Sequence, residues 1–331
     1  HSDVVVAALP FFHSFGFTAT LCFPIGTGIG VVYHTNPMDA TTIGKLTEKY
    51  KATMIMGTPT FMSGYLRKCT PQQFSKVRMA IVGAEKLKES LAKAFYEKFK
   101  VMPFECYGAT ELSPIVTVGF PGYFSEETGE HQVGHKIGKV GHPIPGVALK
   151  VVDPDTFEIK GYDEEGLLLV KGANVMKGYL NNPAKTSEVI KDGWYVTGDI
   201  AAIDSDGFVK ITDRLSRFSK IGGEMVPHIK IEENIMELIG AVDPVVAVTS
   251  VSDEKKGERL IVLHSIDMDA ASICDCLSKR GLPNLWIPKK ESFFRIDNIP
   301  LLGTGKIDLK KIKFLAQEFI SQDAVSSGES L

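Results

Sequence analysis

The sequence predicts an α/β fold: a mainly parallel sheet layer with helices and a small antiparallel β-barrel, followed by a small α+β domain. Apolar runs alternate with helical patterns from Val4 to about Tyr107, which is typical of a parallel sheet covered by helices. Short β segments separated by Gly and Pro turn signals run from Lys139 to Arg214, as expected for antiparallel strands. After Leu215, helical and extended patterns mix again.

Each layer can be divided into elements from its apolar pattern. In the first layer we expect strands at 4–9, 53–56, 77–82 and 104–107, and helices at 41–50, 61–67 and 88–99. One further helix is expected after Pro183, among the antiparallel strands. In the last layer we expect helices at 229–239, 270–280 and 308–320, and strands at 245–251, 260–266 and 292–296.

These patterns predict residues 1–215 as the C-terminal part of one large domain and residues 216–321 as a second domain. Residues 322–331 are polar and are expected to form a disordered tail. The first residue is His1 rather than Met, and residues 4–9 have the pattern of an interior strand. We therefore expect the chain to begin inside a domain.

Composition excludes several classes of protein. The formal net charge of −3 argues against general nucleic-acid binding, which needs a basic excess. Of the five cysteines only Cys274 and Cys276 lie close together, so neither a disulfide framework nor a zinc spacing is indicated. The longest apolar runs, 4–12 and 21–33, are interrupted by Pro and Gly, and no membrane span is predicted.

The segment from Tyr107 to Glu111 follows a predicted strand, where open α/β sheets bind ligands. Tyr107 offers a flat stacking surface, and Gly108 allows close backbone approach. Thr110 supplies a hydroxyl and Glu111 a hard oxygen for Mg²⁺. The alternative is a simple strand-to-loop turn capped by threonine.

Six further motifs accompany this segment. Taken singly, four of them have a plain structural alternative: a core histidine, a glycine turn, a β-hairpin and a surface lysine. They are Leu9 to Gly16 around His13, the Gly83-Ala84-Glu85 loop, Tyr195 to Asp199, Asp213 to Ser216, Lys220 to Val226 with Gly222 and Gly223, and Pro300 to Asp308 around Lys306.

The last of these motifs looks superficially like a phosphate-binding P-loop. Ile307 follows Lys306, whereas a P-loop requires Ser or Thr after its lysine, and the preceding glycine spacing does not match either. A P-loop, or Walker A motif, is therefore excluded at this position.

The seven motifs, in this order, resemble those of the AMP-forming, adenylate-forming superfamily, which includes acyl-CoA synthetases, acyl carrier protein synthetases, peptide-synthetase adenylation domains and luciferases. The resemblance covers nearly the whole chain and implies ATP and Mg²⁺ as cofactors and AMP as a product. It implies that Tyr107 stacks on adenine, Thr110 contacts the α-phosphate and Glu111 holds the metal. The implied adenine loop is Gly83, Ala84 and Glu85, with Gly108 beside the nucleotide.

The same resemblance assigns the remaining residues. It implies that His13 lies near the acyl carboxylate, Asp199 accepts hydrogen bonds from the ribose hydroxyls and Arg214 reaches the ribose. Ser216 falls at the hinge, where many relatives carry Asp or Lys. The hairpin with Lys220, Gly222 and Gly223 is implied to guide a phosphopantetheine arm. Lys306 is implied to sit between the attacking carboxylate and the α-phosphate.

Several stretches are most similar to the acyl carrier protein synthetase domain of bifunctional 2-acylglycerophosphoethanolamine acyltransferases and their stand-alone bacterial relatives. They are residues 11–16, 82–87, 174–180, 217–226 and 300–306. The expected reaction is ATP-dependent activation of a fatty acid, followed by transfer to the phosphopantetheine thiol of acyl carrier protein. Two alternatives remain open: an acyl-CoA synthetase that uses CoA, and a non-catalytic nucleotide-binding module.

An acidic carrier protein would need a basic docking patch. Arg214, Arg217 and Lys220 form one candidate, and Lys289 with Lys290 forms another. We expect a cytoplasmic protein, with the inner face of the bacterial membrane as an alternative. The superfamily's Ser/Thr/Gly-rich phosphate loop is not found ahead of His13, and the chain alone is therefore expected to be an inactive fragment.

Overall fold

The computed structural model describes residues 3–241, 244–253, 255–301 and 307–327. The chain divides into two compact units, His1–Thr212 and Asp213–Leu331. The boundary expected from the sequence, between residues 215 and 216, lies just beyond this division.

The first unit contains the predicted alternation of strands and helices. A π-helical segment, Gly16–Cys22, precedes its first α-helix. The elements are β1 (Val4–Ala7), α1 (Phe23–Thr27), β2 (Gly30–Tyr33), α2 (Ala40–Lys49), β3 (Met54–Gly57), α3 (Pro59–Lys68), β4 (Met79–Val82), α4 (Glu89–Phe99), β5 (Pro103–Gly108), β6 (Ile115–Val118), β7 (Tyr123–Phe124), β8 (His131–Gln132), β9 (His142–Pro143), β10 (Val147–Val152), β11 (Gly166–Gly172), α5 (Pro183–Val189), β12 (Ile190–Lys191), β13 (Trp194–Ile203) and β14 (Val209–Arg214).

A seven-stranded sheet forms the larger layer, in the order β2-β1-β3-β4-β5-β6-β9. Its first five strands are parallel, and β6 and β9 join antiparallel. The carboxyl ends of β4 and β5 therefore lie side by side, as the sequence predicts for its glycine motifs.

Both faces of this sheet are buried, because alternate residues of each strand enter different cores. On β3, Ile55 packs with helices α2, α3 and α4, whereas Met54 and Met56 pack on the opposite face. Phe15 and Ala19 cover that opposite face. The π-helical segment thus takes part in the core.

Helix α3 begins with two residues that favour a helix start. The Thr58 hydroxyl accepts a hydrogen bond from the Phe61 N–H at 3.4 Å, which satisfies a free donor of the first turn. Pro59 occupies the first helical position, where its missing N–H costs nothing. Asp39 caps α2 in the same way, through the Thr42 N–H at 3.0 Å.

The second layer of the first unit is an antiparallel sheet, in the order β10-β11-β13-β12, with β14 paired to β13. Its buried face, which includes Leu168, Val170, Tyr195 and Val209, packs with Leu112 from the turn after β5. The small antiparallel β-barrel predicted from the sequence is found as this five-stranded antiparallel half-barrel, and α5 is the helix expected after Pro183.

The second unit is the predicted α+β domain. Its elements are β15 (Phe218–Ile221), β16 (Glu224–Pro227), α6 (His228–Ile239), β17 (Val246–Asp253), β18 (Gly257–His264), α7 (Ala270–Lys279), β19 (Phe293–Arg295) and α8 (Leu309–Ser327). The sheet has the order β16-β15-β18-β17, with β19 parallel to β18. Helices α6 and α7 pack on one face and α8 on the other.

Helix α8 corrects one expectation. It continues to Ser327, so residues 322–327 are helical rather than part of a disordered tail. A polar composition does not prevent a helix from continuing once its preceding turns are fixed by packing. Among the described residues, no helix is both long and apolar enough to cross a bilayer.

Glu105, on β5, is a mostly buried carboxylate in the first unit. Burial raises the pKa of Glu105 to about 7, although the backbone N–H groups of Leu87 and Gly138 oppose the increase by bonding to the carboxylate. It lines a cavity of about 20 Å³ together with His135, whose buried Nδ1 has no hydrogen-bond partner among the described residues. Glu105 is therefore expected to make folding depend on pH.

Replacing Glu105 with Gln should stabilise the protein increasingly as pH rises. The folded state keeps this proton to about pH 7, whereas an ordinary glutamate releases it near pH 4.5. The stability contributed by the protonated group is therefore complete below pH 4.5 and is lost as pH rises through 7. The gain of the Gln variant over wild type should reach on the order of 3 kcal/mol by pH 7.5.

Denaturant unfolding at several pH values between 4 and 8 measures this difference. Glu97→Gln, at an exposed position on α4, is the control and should give no trend. A Glu105→Gln effect that stays constant with pH would contradict the prediction.

Candidate functional site

Three of the predicted motif segments meet at the carboxyl ends of β4 and β5. Gly83 directly follows β4, and a Cβ there would lie only 2.5 Å from the Cys106 Sγ on β5. Phe15 of the His13 segment approaches the same position at 3.6 Å. Only glycine leaves room for such close packing. Gly83 therefore allows the loop after β4, the end of β5 and the His13 segment to pack together.

The segment around His13 is a tight turn. The His13 N–H donates to the Pro10 carbonyl at 3.1 Å, and the Nδ1 of its ring accepts from the Phe15 N–H at 3.2 Å. The Ser14 hydroxyl then lies 3.2 Å from the Thr110 hydroxyl. This contact brings the His13 turn to the segment that follows β5.

Tyr107 and Asp199 form the central contact of the site. The Tyr107 phenol donates a hydrogen bond to Oδ2 of Asp199, which is buried on β13. The Thr197 hydroxyl accepts from the Asp199 N–H at 3.0 Å and donates to the Leu168 carbonyl at 2.8 Å. Two predicted nucleotide-binding residues are thus in direct contact across 92 residues of sequence.

Glu111 lies in a short 3₁₀ turn, Thr110–Leu112, directly after β5. A Cβ on Gly108 would lie 1.9 Å from the Pro114 carbonyl oxygen, so the chain can fold back here only with glycine. The Tyr179 phenol donates to Oε1 of Glu111 at 2.8 Å. The carboxylate is therefore held in one orientation.

Tyr179 and Tyr195 lie beside Glu111, and neither was assigned a role at the site from the sequence. Burial is the main cause that raises the pKa of both phenols, and Tyr195 also hydrogen-bonds to Tyr179. Both therefore remain protonated and able to donate well above neutral pH. A signal was present: Tyr179 belongs to the 174–180 stretch and Tyr195 opens the motif that contains Asp199.

The loop of Gly83, Ala84 and Glu85 uses its acidic side chain for the fold. Oε2 of Glu85 accepts from the Thr60 hydroxyl at 2.7 Å and from the Thr60 N–H at 3.3 Å. This places the carboxylate at the start of α3, where the helix dipole favours negative charge. Ala84 has a φ of 68°. The backbone of the loop is thus fixed beside the end of β5.

The residues at this site fit the Mg²⁺ that the family resemblance implies. Among the described residues, no group of three or more His, Cys, Asp or Glu side chains could hold a metal. Mg²⁺ bound with a nucleotide typically takes only one or two carboxylates, together with phosphate oxygens and water. A single oriented carboxylate, Glu111, meets that requirement.

The remaining predicted residues belong to the second unit. Arg214 is exposed at the end of β14, and Ser216 lies in a short 3₁₀ turn, Leu215–Arg217.

Gly222 and Gly223 form the two-residue turn between β15 and β16, with φ angles of 59° and 89°. Such a turn requires positive φ at both positions, which favours Gly-Gly. The N–H of Lys220, on β15, donates to Glu258 at 2.7 Å.

Arg217 corrects a second expectation. It is buried and pairs with Glu232 of α6, whose Oε1 also accepts from the Val248 N–H at 2.6 Å. A buried arginine cannot dock an acidic partner, so the basic patch predicted from Arg214, Arg217 and Lys220 loses this member. A buried charge is retained only when paired, and Glu232 provides the pair.

Lys306 lies outside the described residues. Leu301 and Ile307, which bracket it in sequence, form a β-bridge, and the Asp308 N–H donates to the Pro300 carbonyl at 2.9 Å. Helix α8 follows, with Asp308 accepting from the Lys311 N–H at 3.1 Å.

Two of the relatives found by comparison with known proteins carry the same name. The chain is 32% identical over 316 residues to a long-chain-fatty-acid–CoA ligase of Salmonella typhimurium, covering 94% of this chain and 54% of the relative. It is 29% identical over 313 residues to the protein of that name in Bacillus subtilis, covering 92% and 53%. The chain thus spans about half the length of these relatives.

Solved structures share the fold. ATP-bound MatB from Rhodopseudomonas palustris has a TM-score of 0.76 at 27% identity, covering 96% of this chain and 61% of that one. The O-succinylbenzoate CoA synthetase of Bacillus subtilis, in complex with ATP and magnesium, has a TM-score of 0.77 at 25% identity, covering 95% and 62%. In complex with AMP it has a TM-score of 0.75 at 26% identity, covering 94% and 61%.

The family model described as AMP-binding enzyme matches residues 1–180, more than half of the chain. That range includes the His13 turn, the loop after β4 and the Tyr107 to Glu111 segment, all of which meet in the first unit. The chain belongs to the AMP-binding enzyme family.

Proposed function

We propose that the complete protein is an AMP-forming ligase that activates a fatty acid with ATP and transfers the acyl group to the thiol of CoA. The observation that carries this proposal is the meeting of the motif segments in the first unit, centred on the hydrogen bond from Tyr107 to Asp199. The relatives named as long-chain-fatty-acid–CoA ligases support the fatty acid and the thiol.

In the first step, a carboxylate oxygen attacks the α-phosphorus of ATP, an acyl-adenylate forms and pyrophosphate leaves. Tyr107 offers its ring to the adenine, while Asp199 retains acceptor capacity for a ribose hydroxyl. The Thr110 hydroxyl lies at the end of β5, within reach of a phosphate placed over that turn. Mg²⁺, held by Glu111, would neutralise phosphate charge.

Lys306 would add a second positive charge at the same phosphate. Phosphoryl transfer depends mainly on positioning and charge stabilisation rather than on covalent help from the protein. A cation that meets the developing charge in the transition state therefore has a large effect on rate.

In the second step, the thiol attacks the acyl carbonyl, a thioester forms and AMP leaves. We propose that Ser216 is the hinge at which the second unit reorients between the steps. The hairpin that turns at Gly222 and Gly223 would then guide the pantetheine arm. Apart from the chain neighbours of each glycine, no atom of the described residues lies within 4 Å of a Cβ placed on Gly222 or Gly223, so the turn has an open surface.

Acyl carrier protein is the second candidate acceptor. The resemblance of residues 174–180 and 217–226 to acyl carrier protein synthetase domains favours it. Both thiols end in the same phosphopantetheine group, so the hairpin alone does not distinguish them. The named relatives favour CoA, and the burial of Arg217 removes one of the positive charges expected to bind an acidic carrier.

Replacing Lys306 with Ala should lower the rate of acyl-adenylate formation by roughly 10²- to 10³-fold, or about 2.7–4 kcal/mol, because one charge contact to the transition state is lost. ATP binding should remain. Single-turnover release of pyrophosphate in the complete protein measures the rate. Lys310→Ala, an exposed lysine on α8, is the matched control, and an unchanged rate in Lys306→Ala would remove Lys306 from the mechanism.

The acceptor is tested by supplying palmitate and MgATP with either CoA or holo-acyl carrier protein. We expect acyl-CoA to form with kcat/KM at least about 10-fold higher than for the carrier, a difference of ~1.4 kcal/mol. Apo-carrier, which lacks the thiol arm, controls for non-specific labelling. Preferential acylation of the holo-carrier would overturn CoA as the acceptor and establish the second candidate.

A further inference from the structure

Glu111 has a protein partner that the proposed function does not use. The Tyr179 phenol donates to Oε1 of Glu111 at 2.8 Å, and the Tyr195 phenol hydrogen-bonds to Tyr179. Among the described residues, no other hydrogen bond to the Glu111 carboxylate is found. One carboxylate oxygen is thus occupied and the other is left for a ligand.

The segment that carries Tyr179, residues 174–179, also holds the backbone around Glu111. The Met176 N–H donates to the Glu111 carbonyl at 2.8 Å. The Asn174 side chain donates to the carbonyls of Leu112 at 3.0 Å and Ile115 at 3.2 Å. Both the main chain and the side chain of Glu111 are therefore fixed by the same short segment.

Tyr179 is itself anchored to α5. Its N–H donates to the Thr186 hydroxyl at 2.9 Å, and that hydroxyl donates to the Asn182 carbonyl at 2.9 Å. The neighbouring Gly178, at a φ of 148°, lies so close to Thr186 that a Cβ would be 2.7 Å from its methyl group. Helix α5 thus sets where the phenol of Tyr179 lies.

We propose that Tyr179 is a positioning residue, which holds Oε1 of Glu111 so that Oε2 is left to bind the divalent cation that accompanies ATP. The inference rests on the proposed function and assigns a role to the 174–179 segment. A hydrogen-bond donor behind a metal-ligating carboxylate fixes its orientation, and loss of such a donor typically weakens metal binding by roughly 10- to 100-fold. Without this hydrogen bond the Glu111 side chain could rotate, and either carboxylate oxygen could face the cation.

The test is the Mg²⁺ requirement of Tyr179→Phe, which loses only the hydroxyl. Binding of an ATP analogue with a methylene bridge between its α- and β-phosphates is titrated with Mg²⁺, in the complete protein and without turnover. We expect roughly 10-fold more Mg²⁺ for half-saturation and unchanged analogue binding in EDTA. Tyr162→Phe, at an exposed tyrosine, is the control and should retain the wild-type requirement.

A second pair of variants keeps the test valid if Tyr179→Phe is unstable. Thr186→Val removes the hydroxyl that anchors the Tyr179 N–H, whereas Thr186→Ser retains it. The Mg²⁺ requirement should rise in the valine variant and stay near wild type in the serine variant. Equal loss of analogue binding with and without Mg²⁺ in Tyr179→Phe would mark a purely structural role and overturn the inference.

The two proposals can fail separately. A complete protein that forms no acyl-adenylate from ATP contradicts the proposed function and, with it, the role of Tyr179. A protein that forms acyl-adenylate normally, and whose Tyr179→Phe variant has the wild-type Mg²⁺ requirement, contradicts only the role of Tyr179.

Discussion

The hydrogen bond from Tyr107 to Asp199 is the constraint on which the site depends. Tyr107 ends a strand of the seven-stranded sheet, and Asp199 lies in the antiparallel sheet of the same unit. Because Asp199 is buried, its carboxylate needs a donor in the fold, and a buried carboxylate left without one would be costly. The Tyr107 phenol supplies this donor, and the same bond restrains the position of the Tyr107 ring near the carboxyl end of β5.

Close backbone approach makes this arrangement possible. Gly83 brings the loop after β4 against Cys106, and Gly108 lets the chain fold back on Pro114. A side chain at Gly83 would push the loop after β4 away from β5, and one at Gly108 would push the end of β5 away from Pro114. The glycines in these motifs therefore allow close backbone packing, and the polar residues beside them supply the groups proposed to bind ligands.

Much of this could be predicted from the sequence because the strands and helices follow local patterns. Apolar patterns predicted β1, β3, β4 and β5, and the motif resemblance assigned both Tyr107 and Asp199 to the nucleotide. Side-chain partners were harder, because a local pattern contains no information on contacts between distant residues. Tyr179 lies 68 residues from Glu111. The burial of Arg217 against Glu232 likewise could not be predicted, because most arginines in a sequence are exposed.

The fate of a carboxylate oxygen tests most directly whether the complete protein forms the proposed acyl-adenylate. A fatty acid labelled with ¹⁸O in its carboxylate is converted to thioester in the presence of ATP, and the nucleotide product is analysed by mass spectrometry. Attack of the carboxylate on the α-phosphorus predicts AMP that carries one ¹⁸O atom. Release of unlabelled AMP, or of ADP with labelled phosphate, would contradict the account.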